Sequence, residues 1–200
     1  ADGHHRTASA AKVGLLRREK YPAYTGEEEF NFFMTVIFPD NQLKIFDYNR
    51  VVKDLNGHSK EEFLKLVEEK FEITPIKEAG NFHPGKTHEI GMYLDRCWYR
   101  LVPKAGTWDA ANPVASLDVS ILQDNLLHPI LGIGDPRRDT RIDFVGGIRG
   151  LDELVRRVDS GREVVAFAMY PTSMDELLSS ADAGMIMPPE STWFEPKLRS

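Results

Sequence analysis

The chain has 200 residues, 42% hydrophobic and 28% charged, with a formal net charge of −6. That length buries one sizeable core, and the acidic balance argues against a surface that wraps DNA, because neutralising a phosphate backbone requires a basic stripe. Cys97 is the only cysteine, which excludes a disulfide framework and points to a reducing, cytoplasmic compartment. No apolar run approaches about 20 residues, so no membrane span is expected.

The chain opens on Ala1-Asp2-Gly3-His4-His5-Arg6 and passes at once into an alanine-rich run. Gly3 allows a sharp turn and close backbone approach. A helix starting there attracts anions through its amide groups and dipole. Arg6 supplies a planar fork for two phosphate oxygens, and Asp2 suits a Mg²⁺ bridging them. The alternative is a solvated arm or an affinity-tag remnant. The unbroken run into a helical register favours the phosphate cradle.

Residues 7–20 read as a helix with Arg17, Arg18 and Lys20 at its C-terminal end, stopped by Tyr21-Pro22. The acidic run Glu27-Glu28-Glu29 reads as a solvated linker, and a lobe boundary is placed there. Residues 31–38 and 43–52 alternate around Pro39-Asp40-Asn41-Gln42 and predict a hairpin. Tyr48, Asn49 and Arg50 on its second strand either line a pocket or form the polar face of a strand end, the latter being favoured.

Ser59 and Glu62 form a capping box, and Phe63, Leu64, Val67 and Phe71 make one apolar stripe that covers a sheet. Residues 71–76 read as a strand. His83 and His88 are separated by Pro84-Gly85, which breaks any shared helix face and argues against a metal site. Residues 90–94 and 97–102 predict a second hairpin around Asp95-Arg96, with Cys97 a packed thiol. Ser116-Leu117-Asp118 opens a predicted helix that continues to Leu127 and is ended by Pro129 and Gly132, with Asp118 in a charge or capping role. Next come a strand over 141–145, the turn Gly146-Gly147-Ile148-Arg149-Gly150 and a helix over 151–158. A glycine-rich turn between strand and helix binds anions in many proteins, which makes Gly146, Gly147 and Arg149 secondary candidates; a tight turn without a ligand is favoured. Residues 163–170 read as a buried strand, completing a β-α-β unit, and Ser173 with Glu176 caps a last helix. The tail from Met187 to Lys197 is a proline-bound segment that either seals the core or brings Lys197 to a phosphate.

The opening motif resembles the phosphate-binding signature of the ParB/sulfiredoxin superfamily, whose members include CTP-binding partition proteins, sulfiredoxin and a free-serine kinase. Four stretches, residues 30–54, 117–132, 141–150 and 187–198, resemble the C-terminal half of an uncharacterised prokaryotic family, number 1015 among the domains of unknown function, often labelled ParB-like or chromosome-partitioning. The resemblance implies a lysine at position 190, where this chain carries Glu190. It also implies a general-base glutamate upstream of the motif, so the chain is expected to be a fragment, inactive alone.

The expected fold is α+β: a mixed, largely antiparallel sheet built from hairpins with packed helices and a C-terminal β-α-β unit. Residues 1–28 are read as the remnant of a nucleotide-binding lobe and 29–200 as an α+β domain. The resemblance implies binding of ATP, ADP or CTP with Mg²⁺, phosphates held by Gly3, His4, His5 and Arg6, and phosphoryl transfer to a small hydroxyl substrate such as free serine. The alternatives are a partition or regulatory module switched by a nucleotide, and a non-catalytic structural domain. Direct DNA binding is opposed by the charge, and an oligomer is compatible with each reading.

Overall fold

The computed structural model describes residues 3–77 and 80–196, with His4 and His5 described by their backbone alone. The chain divides into two compact units, Ala1–Leu43 and Lys44–Ser200.

In the first unit, helix α1 (His4–Lys20) starts three residues earlier than expected. Its one buried described residue is Gly14, where an added Cβ would stand 3.0 Å from the Phe30 carbonyl oxygen, so the helix meets the short turn Glu29–Asn31 at backbone distance. Arg18 Nε donates to Asn31 Oδ1 at 2.8 Å and its guanidinium lies over the Tyr24 ring. Glu28 organises the preceding turn by accepting from the backbone amides of Thr25 and Gly26 and from Asn31 Nδ2.

The hairpin expected over 31–38 and 43–52 does not form. Residues 32–38 make no strand, and Met34 and Ile37 are 85% and 88% exposed. The reason lies in the second unit, where strand β2 (Tyr48–Val52) has both edges occupied by other partners. Strand β1 (Lys44–Phe46) pairs instead with β8 (Trp193–Glu195), from the far end of the chain.

The remaining elements of the second unit are β2 (Tyr48–Val52), α2 (Lys60–Lys70), β3 (Phe71–Pro75), β4 (Ile90–Leu94), β5 (Cys97–Pro103), α3 (Asp118–Leu122), β6 (Ile142–Gly146), α4 (Leu151–Asp159), β7 (Val165–Ala168) and α5 (Met174–Asp182). Six strands form one sheet in the order β3-β5-β4-β7-β2-β6, every neighbouring pair antiparallel. β6 and β7 both run antiparallel to β2 and therefore parallel to each other, so the β6-α4-β7 unit is split by β2 between its strands. The β4–β5 hairpin turns at Asp95 and Arg96, both left-handed (φ 49° and 60°), as a two-residue turn between right-twisted strands requires.

Strand alternation divides the core in two. Val52, Met92 and Phe167 meet Phe63 and Val67 of α2 and Ile121 and Leu122 of α3 on one face. Val51, Tyr93 and Ala166 meet Leu154 of α4 on the other. Beyond Leu122 the helix widens into a π-helical turn (Gln123–Leu127), where Asn125 Nδ2 donates to the carbonyls of Ile121 and Thr107 and ties the helix to the preceding loop.

Glu163 stands where the sequence suggests an apolar strand, and it is 1% exposed. Its carboxylate takes a bidentate grip from Arg157: Nε donates at 3.0 Å and Nη2 to the second oxygen. Arg157 Nη2 also reaches Asp143 Oδ2 at 2.7 Å, joining α4 to β6. The paired carboxylates hold the Arg157 guanidinium above its usual range, with Glu163 the larger influence. Glu163→Gln leaves the buried Arg157 with Asp143 as its remaining carboxylate, so it is expected to lower unfolding free energy by about 2 kcal/mol in urea denaturation.

Candidate functional site

The opening turn is built by Gly3, which precedes α1 in the left-handed conformation (φ 79°, ψ 32°). Its carbonyl accepts from Thr7 N–H at 3.1 Å, closing the first turn of the helix. The exposed Arg6 folds back over it: an added Cβ on Gly3 would lie 3.1 Å from Arg6 Nη2 and 3.3 Å from Nε. Glycine is favoured there by the backbone angle, and its missing side chain leaves room for the guanidinium above it. Among the described residues, the other four α-helices each carry acidic side chains in the first turn, and α1 has none. An acid there would satisfy the helix dipole internally and repel an anion. Asp2 lies outside the described residues, as do the side chains of His4 and His5.

The secondary candidates Tyr48, Asn49, Arg50, Gly146 and Gly147 come together at one end of the six-stranded sheet, where Tyr48 is paired with Gly146. Asn49 is fully buried; its Nδ2 donates to Asp47 Oδ2 at 2.6 Å and its Oδ1 accepts from Met169 N–H at 2.9 Å. It thereby fastens β2 to the end of β7. Gly147 donates its N–H to the Asp47 carbonyl at 2.8 Å, and an added Cβ would fall 1.9 Å from Asp47 Oδ1. The turn named as a secondary anion candidate therefore lies against the chain's own buried carboxylate. Arg149 is exposed at the end of the turn.

Arg50 is 4% exposed. Its Nη1 donates to the Tyr48 carbonyl and its Nη2 to the Glu190 carbonyl at 2.8 Å, while Phe144 covers the guanidinium with its centroid 5.5 Å away. Burial pulls Arg50 down to about 10, against the opposing pull of the Glu190 carboxylate. Tyr48 lies edge-on to both Phe144 and Trp193. Burial, and then the facing Glu190 carboxylate, push its phenol above the usual range. Trp193 lies so close to Gly146 that a Cβ there would come within 2.7 Å of the indole. Residues 188–195 thus form a strap anchored to the sheet end by a buried cation. Lys197 falls outside the described residues.

A third cluster escaped the sequence reading. Asp118 does not serve as a solvent-facing cap: it is 7% exposed, and both carboxylate oxygens accept from the backbone N–H of His88, at 2.9 and 3.1 Å. That bond holds His88 in a left-handed conformation (φ 64°), its ring packed 4.7 Å from Trp108 and its Nε2 on the Ser116 carbonyl. Burial pushes Asp118 up to about 7, a rise opposed by the His88 amide. A histidine at positive φ is unusual, and that strain leaves no mark in a single sequence. No group of three or more metal-ligating side chains gathers among the described residues. No helix of the described residues is long and apolar enough to cross a membrane.

The family model described as "Protein of unknown function (DUF1015)" matches residues 1–120. No curated protein matches the chain. Solved structures similar to it include a glutamate-to-glutamine mutant of free serine kinase in complex with AMP (12% identity, TM-score 0.46, covering 77% of this chain and 55% of that one). Another is a glutamate-to-alanine mutant of the same kinase in complex with ADP (14% identity, TM-score 0.42, 77% and 54%). A conserved hypothetical protein from Pyrococcus furiosus is also similar (10% identity, TM-score 0.46, 78% and 57%). The chain spans about half the length of these structures.

Two substitutions check this geometry. Gly147→Ala forces its methyl group onto the Asp47 carboxylate and is expected to cost at least about 2 kcal/mol, whereas Gly134→Ala, which has open space around it, stays within about 0.5 kcal/mol of wild type in the same denaturation series. For Asp118, the folded state keeps a proton from about pH 4 to pH 7 that the unfolded chain has lost, so stability falls as pH rises through that window. Asp118→Asn is expected to flatten the profile there by a few kcal/mol, measured as unfolding free energy against pH.

Proposed function

We propose, for a chain that belongs to the family described as "Protein of unknown function (DUF1015)", that Gly3, His4, His5 and Arg6 grip the phosphates of a nucleotide. In this reading Gly3 bends the main chain so that the first amides of α1 face the phosphates, and Arg6 closes over them as a bidentate donor. The observation that carries the reading is the pairing of a left-handed Gly3 with Arg6 folded back upon it, at the start of the α-helix that lacks an acid in its first turn. The motif's resemblance to the ParB/sulfiredoxin signature supports it.

The reaction class we assign is phosphoryl transfer from ATP or ADP to a small hydroxyl substrate such as free serine, in the full-length protein. Asp2 is the residue that would hold Mg²⁺, which when bound neutralises phosphate charge. Arg6 and the helix amides orient the phosphates and stabilise charge on them, which is most of what such catalysis demands of a protein. The base for the acceptor hydroxyl lies upstream in this reading, so nucleotide binding is what this chain itself must display. A nucleotide-switched partition module would use the same grip. With a net charge of −6 the chain is poorly suited to DNA, and salt-sensitive DNA binding without turnover would mark that alternative.

Calorimetry of the chain with ADP, ATP and CTP, each with and without Mg²⁺, tests the assignment. At least one nucleotide is expected to bind, and Arg6→Ala to weaken it by about tenfold or more. Binding of none of the three, or unchanged affinity in Arg6→Ala, would overturn it.

A further inference from the structure

A groove of about 370 Å³ in the second unit is bordered by the β4–β5 turn and the C-terminal end of α4. Its apolar lining is aliphatic: Leu55, Leu94, Val158 and Val164. Its charged residues fall into two kinds. Lys60 and Asp95 neutralise each other at 2.5 Å, and Glu163 is held by Arg157 and Arg162. Arg96 and Asp159 are different. Arg96 stands exposed on the left-handed tip of the hairpin, and Asp159 ends α4 with Oδ1 accepting from the Tyr93 hydroxyl at 3.0 Å. Among the described residues, neither takes part in an ion pair. One groove thus offers a cation and a carboxylate that do not close on each other, with aliphatic surface beside them.

We propose that this groove binds a free aliphatic α-amino acid, its carboxylate on Arg96, its ammonium on Asp159 and its side chain on the aliphatic lining. A ligand of either charge alone leaves one of the two groups unmatched, and a polar side chain would not use the valines and leucines. The volume is at the small end of ligand pockets, which suits a compact metabolite. The proposal is independent of the nucleotide reading.

The test is an NMR titration of the ¹⁵N-labelled chain with three probes: L-leucine, 4-methylpentanoate (no ammonium) and 3-methylbutylamine (no carboxylate). L-Leucine is expected to bind with a Kd of about 1 mM and each analogue about tenfold or more weaker. Arg96→Asn, chosen because asparagine tolerates the left-handed turn, should reduce leucine affinity to that of the amine. Asp159→Asn, which keeps a partner for Tyr93, should reduce it to that of the acid. Equal binding of the three probes, leucine affinity unchanged in both folded variants, or no saturation by about 50 mM leucine would overturn the proposal.

Discussion

β2 depends on a constraint that shapes the second unit: both of its edges are occupied, so every polar group at its entrance must be satisfied from within. β6 takes one edge and β7 the other. A buried amide or carboxylate without a partner is costly, and the chain meets that demand in sequence. Asn49 bridges Asp47 to the Met169 amide, Gly147 makes room for the Asp47 carboxylate, and Arg50 turns its guanidinium onto two carbonyls and a ring. The polar run that opens β2 is what lets a central strand begin without water.

The same accounting explains where sequence and structure agree. Both capping boxes, Ser59 with Glu62 and Ser173 with Glu176, form as expected, because each is closed by side chains three residues apart. The hairpin at Asp95-Arg96 likewise depends on its two central residues. Residues 31–38 carry strand chemistry as strong as any in the chain, yet a strand needs a partner, and the one expected for them, β2, is paired on both edges with β6 and β7. Glu163 and Asp118 misled for a related reason. An isolated acid in an apolar stretch does not announce that its partner lies on the preceding helix or on a backbone amide thirty positions away.

At the opening turn, the glycine and the presence of a helix are legible because they act within a few residues, while the helix begins at His4 rather than Thr7. The return of Arg6 over Gly3 is not legible, since it depends on a rotamer. The secondary candidates show the opposite limit. Tyr48, Arg50, Gly146 and Gly147 were singled out as separate polar or flexible positions; strand register unites them, and the Glu190 carbonyl and the Trp193 indole complete the group from the far end of the chain.

Trp193 gives that arrangement a practical consequence. Its indole rests on Gly146 and meets Tyr48 edge to face, whereas Trp98 is buried beside Tyr93 in the core on the α4 side of the sheet. Peeling the tail away while the sheet stays folded would therefore change the surroundings of Trp193 and leave Trp98 in the dry interior and Trp108 on the His88 ring. The native emission of the chain is thus a built-in optical gauge of whether its last strand is seated.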